Sequence, residues 1–121
     1  MRKLKFRAWD RWHNQMEYDL YHEPGDIKVT DINEYFEEET DQYEFMQFTD
    51  LQDCNGEDIY EDDICWVEGW GNARVEYVRE RGGFVLIIQY GGFRYLTIDE
   101  ARGSKVVGNI YENNARLYGV R

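Results

Sequence analysis

A mainly β fold is expected for this chain, and three observations carry that expectation. The opening residues 3-KLKFRAWD-10 alternate charged and apolar side chains, five short apolar runs divided by glycines follow residue 63, and sustained helical periodicity is missing from that second half. Alternation with a period of two puts successive side chains on opposite faces of an extended strand. Short strands at close spacing, joined by Gly-rich turns, indicate a small antiparallel barrel or rolled sheet. Mean hydropathy is low, at -0.79, but aromatic residues make up 17% of the chain, and each large ring buries ample surface. With a single proline, Pro24, and no low-complexity run, the composition is that of a folded protein.

The elements follow in chain order. Leu4, Phe6 and Ala8 form the apolar row of the first strand, and Lys3, Lys5 and Arg7 the polar row. Residues 13-HNQ-15 read as a turn, after which 16-MEYDL-20 returns as the hairpin partner. A loop is signalled by 23-EPGD-26. In 30-TDINEYFEEETDQ-42, Asp31 is placed as a helix N-cap with Glu34 three residues on, and Ile32, Tyr35 and Phe36 recur at helical spacing. Then 43-YEFMQFT-49 alternates as a strand. Beyond residue 63 the expected strands are 64-ICWVEGW-70, 73-ARVEYVR-79, 84-FVLIIQY-90, 93-FRYLTI-98 and 105-KVVGNIY-111. Turns at 71-GN-72, 82-GG-83, 91-GG-92 and 99-DEARGS-104 divide them. Residues 1–63 are thus a β-rich N-terminal elaboration holding a hairpin, an acidic segment and a motif loop, and residues 64–121 a five-stranded barrel, the two packed as one unit.

Net charge is -11, unevenly spread. Residues 1–16 carry five basic and one acidic side chain, residues 17–63 one basic and eighteen acidic, and residues 64–121 eight basic and six acidic. A negative block repels phosphates, so direct binding of nucleic acid is not expected; a basic protein is the partner such a block attracts. Candidate contact residues are the acids Glu37, Glu38, Glu39 and Asp41, together with Trp66 and Trp70, which with Trp9 and Trp12 could line a groove as aromatics do in peptide recognition. The alternative for the acids is a plain solvated face, and for the tryptophans, Trp9 and Trp12 included, a place in the core.

The stretch 50-DLQDCNGEDIYEDDI-64 raises the question of a metal loop. Aligning Gly56 with the sixth position of an EF-hand loop suits Asp53, Asn55 and Asp62, but it puts Leu51 first, where an oxygen is required, and the flanks read as strands. A turn explains more. Asn55-Gly56 is a favoured tight-turn pair whose residues both tolerate left-handed angles, Asp53 can accept from backbone N–H groups two residues on, and Leu51, Ile59, Tyr60 and Ile64 anchor either side to the core.

Three motifs in this order resemble the YopX family of small phage and prophage proteins: 5-KFRAWD-10 followed by Met16, the central 46-MQFTDLQDCNGEDIYEDDI-64, and the closing 106-VVGNIYEN-113, with Gly108, Asn109, Ile110 and Tyr111 at its heart. The departures are Asp50 and Asp63, read as standing where the family pattern has Gly, and the lack of a Pro after 111-YENN-114. The resemblance implies a mainly β protein whose C-terminal barrel is SH3-like. It carries no catalytic residue to this chain, and a phage origin makes the cytoplasm, expected from the lack of a secretory or membrane-spanning run, that of a host cell.

Other chemistry finds no constellation. His13 and His22 lack the companions of a metal site, Ser104 has no evident base, and neither Gly-Gly pair is followed by the Lys-Ser/Thr of a phosphate loop. Cys54 and Cys65 are expected as free thiols. No secretory or membrane-spanning apolar run is present. The expectation is a non-enzymatic, cofactor-free accessory protein that binds another protein through acidic surface, its sharper form being mimicry of DNA. The alternatives are a metal-binding protein built on residues 50–63 and a self-assembling phage component.

Overall fold

The computed structural model describes residues 4–22, 30–31, 41–88 and 91–112. Strands dominate: β1 (Leu4–Asp10), β2 (Gln15–His22), β3 (Thr30–Asp31), β4 (Tyr43–Gln52), β5 (Asp58–Tyr60), β6 (Asp63–Val67), β7 (Gly71–Val78), β8 (Gly83–Ile88), β9 (Phe93–Tyr95) and β10 (Ser104–Asn109). A 3-10 turn at Arg79–Arg81 and a short helix, α1 (Ile98–Arg102), complete the described elements. The chain forms two compact units, Met1–Phe48 and Thr49–Arg121.

In the first unit β1 is central, antiparallel to β2 on one side and β4 on the other, while β3 runs parallel to β2. The register slips between Phe6↔Leu20 and Ala8↔Glu17, so Tyr18 and Asp19 oppose Arg7 alone and Asp19 takes a left-handed φ of 60°. Such a bulge bends the strand and re-aims its side chains. Ala8 and Leu20 are buried with Phe6, Tyr43 and Phe45 around them. The two-row pattern of β1 needs correcting: Arg7, expected outside, is 2% exposed, and its Nε lies 3.3 Å from the Sδ of Met46, its partner across β4. Both faces of β1 are shielded, Arg7 being buried on one and Ala8 and Asp10 on the other, and the long Arg stem supplies apolar area to its own face. The helical turns expected after Asp31 lie outside the described residues.

The second unit contains all five strands expected beyond residue 63, ordered β10-β6-β7-β8-β9. Its core joins Ile59, Cys65, Val67, Ala73, Val75, Leu86, Leu96 and Ala101. Inward residues alternate along β7 and pair with those of β8, as in Val75↔Leu86. Two turns differ from expectation. Gly71 opens β7, and the bend falls before it, at residues 68–70, where Gly69 (φ 82°) lets Trp70 N–H reach the Val67 carbonyl at 2.9 Å. Residues 99–104, read as a loop, hold most of α1. Its N-cap is Thr97, whose Oγ1 accepts from Glu100 N at 3.2 Å, with Asp99 and Glu100 in the first turn. Five residues are too few for helical periodicity to show, and the cap is its only signal. α1 carries the chain from β9 to the opposite edge, where β10 pairs with β6. This connectivity is consistent with an SH3-like barrel.

Candidate functional site

Asn55-Gly56 is a turn, of a kind other than the one expected. Gly56 N–H donates to the Asp53 carbonyl at 3.0 Å and Asp53 N–H to that of Glu57 at 2.9 Å, while Gly56 alone has a positive φ, of 79°. That is an ordinary β-turn closed by a left-handed Gly, a three-residue hairpin loop with a Gly bulge. The Asp53 carboxylate, 5% exposed, organises it: Oδ1 accepts from Asn55 N at 2.8 Å and Glu57 N at 2.9 Å. Its Oδ2 accepts from Val106 N, on β10, at 2.8 Å. Cys54 N–H adds a bond to the Ser104 carbonyl at 3.0 Å. One buried carboxylate therefore ties the loop to itself and to a distant strand.

The rest of the central motif continues in this way. Thr49 Oγ1 donates to the Ile59 carbonyl at 2.7 Å and accepts from Leu51 N at 3.2 Å. Asp63, 1% exposed, accepts from Tyr60 N through Oδ2 at 2.7 Å. Ile59 and Ile64 are fully buried, Tyr60 nearly so, and Leu51 packs at the core margin. Within the closing motif, Asn109 Oδ1 accepts from the N–H groups of Tyr111 and Glu112, both at 3.0 Å, and its Nδ2 donates to Glu112 Oε1 at 2.6 Å. Gly108, Ile110 and Tyr111 are half-buried. Asn109 pairs with Asp63 across the β10–β6 ladder, and Ile110 N–H reaches the Asp62 carbonyl at 3.1 Å. The two motifs, far apart in sequence, form one hydrogen-bonded assembly.

The left-handed positions correct the reading of the departures. They are Asp50 (φ 68°) and Asp62 (φ 69°), whereas Asp63 has no positive φ. Glycine is the residue of choice at such angles, and Asp is among the few others that tolerate them. Asp62 has local support, since its N–H donates to the Val75 carbonyl at 2.7 Å and its Oδ1 lies 3.2 Å from Arg74 Nη2. Asp53, Asn55 and Asp62 do not converge: both Asp53 oxygens receive backbone N–H groups, and Asp62 meets an arginine. Among the described residues no three His, Cys, Asp or Glu side chains gather as a metal ion requires.

A comparable carboxylate that sequence reasoning missed closes the first hairpin. Asp10, 3% exposed, accepts through Oδ1 from Trp12 N at 3.0 Å, His13 N at 3.2 Å and Gln42 Nε2 at 3.3 Å, while Oδ2 lies 2.8 Å from His13 Nδ1. Burial pushes its pKa up, but the bonds from the His13 ring, the Gln42 amide and the two backbone N–H groups outweigh this and hold it below its ordinary value. Nearby, burial raises the Tyr43 phenol, and the charges of Asp10 and Glu17 raise it further. The signal for Asp10 was an Asp placed just before a polar turn.

The candidate contact residues divide. Asp41 is exposed and its carbonyl accepts from Arg11 Nη1 at 2.6 Å; Glu37, Glu38 and Glu39 lie outside the described residues. Trp66 is 48% exposed, flanked by Lys105 and Asn72 on the paired strands. Trp70 packs against the core with the Arg94 guanidinium 3.7 Å from its ring centre, so it is no open groove wall. Trp12 is exposed as well, and so are Phe93 and Tyr95, which sequence reasoning did not single out. Cys54 is an exposed free thiol and Cys65 a buried one.

Among the described residues no helix is long and apolar enough to cross a membrane. The chain is similar in fold to the crystal structure of protein EF1440 from Enterococcus faecalis, with 23% identity, a TM-score of 0.59, and coverage of 94% of this chain and 97% of that one. No curated protein matches. The profile of the YopX protein family matches residues 5–118, and with its central and closing motifs joined in one hydrogen-bonded assembly, the chain belongs to the YopX family.

Proposed function

We propose that this is a non-enzymatic accessory protein of phage or prophage origin, acting in the host cytoplasm, whose acidic surface binds a basic protein. One observation carries the reading: the buried carboxylates Asp10, Asp53 and Asp63 are engaged by backbone N–H groups, while Asp41, Asp50 and Glu57 of the acidic block stand exposed. Groups committed to holding loops are not available for proton transfer or nucleophilic attack. An exposed acidic surface instead supplies complementarity and faster encounter with a positively charged partner.

The sharper form is mimicry of DNA, with carboxylates standing in for phosphates in a basic cleft. The test is retention of host proteins on the immobilised full chain at low and high salt. Retention is expected to fall steeply with salt, to weaken in a D41K/E57K variant, and, for the mimicry form, to be displaced by duplex DNA. Retention indifferent to salt and to both substitutions overturns the acidic-surface reading; a salt-sensitive partner that duplex DNA fails to displace removes mimicry alone.

A further inference from the structure

We propose that the open edge of β9 takes up an extended peptide segment bearing acidic side chains at alternate positions, which joins the second sheet as a sixth strand. β9 is the last strand of the order β10-β6-β7-β8-β9, and its three residues are all exposed. The phase of the ladder decides which groups face outward. Leu96 N–H donates to the Phe84 carbonyl at 3.0 Å and Ile88 N–H to that of Gly92 at 3.2 Å, so the hydrogen-bonded pairs are 84/96, 86/94 and 88/92. Arg94 therefore spends its backbone on β8, whereas Phe93 and Tyr95 turn theirs away from it. The Tyr95 carbonyl accepts from Thr97 N at 3.1 Å. Among the described residues, Phe93 N–H, Phe93 C=O and Tyr95 N–H remain as the outward row, which is what an added strand requires.

The side chains along this edge state the partner's chemistry. Phe93 and Tyr95 lie on one face, edge to face with centroids 5.7 Å apart. Arg81 lies over Phe93, its Cζ 3.9 Å from the ring centre, with Nη1 3.5 Å from the Tyr95 hydroxyl. Arg11, Arg74 and Arg94 each meet a carboxylate; among the described residues Arg81, like Arg79 and Arg102, meets none, and it alone of these three is held against the β9 rings. Its ring contact fixes the guanidinium plane while leaving N–H groups for a bidentate acceptor. A peptide residue hydrogen-bonded opposite Phe93 projects its side chain onto the same face, within roughly 5.5 Å backbone to backbone, so a Glu there reaches Arg81. A second copy fits less well: pairing two β9 edges through Phe93 and Tyr95 sets Arg94 directly opposite Arg94, between chains that each carry -11.

The experiment follows backbone amides of the nitrogen-15-labelled full chain at about 0.15 M salt, where the Debye length of about 8 Å screens the net charge. The probes are capped octapeptides of alternating Glu-Val and alternating Lys-Val. The Glu-Val peptide is expected to shift the Phe93 and Tyr95 amides and slow their exchange, the Lys-Val peptide to leave them in place, and R81Q to weaken the Glu-Val effect about tenfold, as loss of a charge-assisted bond predicts. Arg81 is exposed, so R81Q tests contact without disturbing the core. Absence of these shifts at millimolar Glu-Val, equal shifts with Lys-Val, indifference to R81Q, or shifts that track protein concentration alone would each overturn the proposal.

Discussion

Asp10 in Met1–Phe48 and Asp53 in Thr49–Arg121 are both buried carboxylates that gather backbone N–H groups, yet they work over different spans. Asp10 draws its backbone donors from Trp12 and His13, two and three residues on, with a side-chain bond from Gln42. Asp53 holds its own turn and also reaches Val106, 53 residues away. Around it, Asp63 and Asn109 close two more loops, and among the described residues a core cluster of eight buried residues lies in the same unit, against a cluster of two in the first. The contrast teaches what the motifs are for. An Asp that caps a local hairpin needs only its neighbours, whereas one that joins two strands distant in sequence needs both motifs present and in register.

The largest expected effect tests the tertiary half of that contrast. Asp53→Ala removes the buried acceptor of three backbone N–H groups, one of them on β10, and should lower stability by on the order of 3 kcal/mol, read as the midpoint shift in urea unfolding. A loss no larger than that of Asp10→Ala would remove the distinction between the two carboxylates. Next, Asn109→Ala removes the acceptor for Tyr111 and Glu112 and should cost about 1–2 kcal/mol by the same measurement.

Asp10→Asn sharpens the local half through pH. The folded pKa of Asp10 is lowered from an ordinary value of 3.8, so the carboxylate contributes stability above that value, and the contribution is lost as pH falls through the lowered folded pKa. Wild type should therefore exceed Asp10→Asn in stability near neutrality and converge with it in acid below the ordinary value. Parallel pH–stability curves would contradict the assignment. The smallest effect is expected for Asp62→Gly. Relief of a left-handed non-Gly residue, about 1 kcal/mol, is offset by the lost Arg74 pair, up to about 1 kcal/mol, and by Gly's unfolded-chain entropy, about 0.5–1 kcal/mol. Unfolding midpoints within error of one another are the expected outcome. A large loss would show that Asp62 shares the loop-closing role of Asp53.

Much of this was legible beforehand, for identifiable reasons. Period-two alternation and glycine punctuation located β1, β2, β4 and all five strands beyond residue 63, because strand patterning depends on short stretches of chain. Asp53 was legible as a turn-former for the same reason. The form of its turn was not, since Asn-Gly suits two loop types and only the pairing of Asp53 with Glu57 selects one. Arg7 was read as an outer residue because alternation assumes one wet face, whereas β1 is shielded on both, with Arg7 buried on one and Ala8 and Asp10 on the other. Trp66 and Trp70 looked equivalent in sequence, yet one lies on a strand face and the other in a turn beneath Arg94.

The chain alone determined where strands and turns fall, which residues repeat the family's motifs, and how charge is divided, because these depend on residue type and on neighbours a few positions apart. The tertiary structure alone decided that Asp53 meets Val106, that the central and closing motifs form one assembly, and that Phe93 and Tyr95 face outward from an open edge. Those outcomes depend on which strands become neighbours, and pairing between distant strands is set by the packing of the whole sheet, which no local pattern encodes.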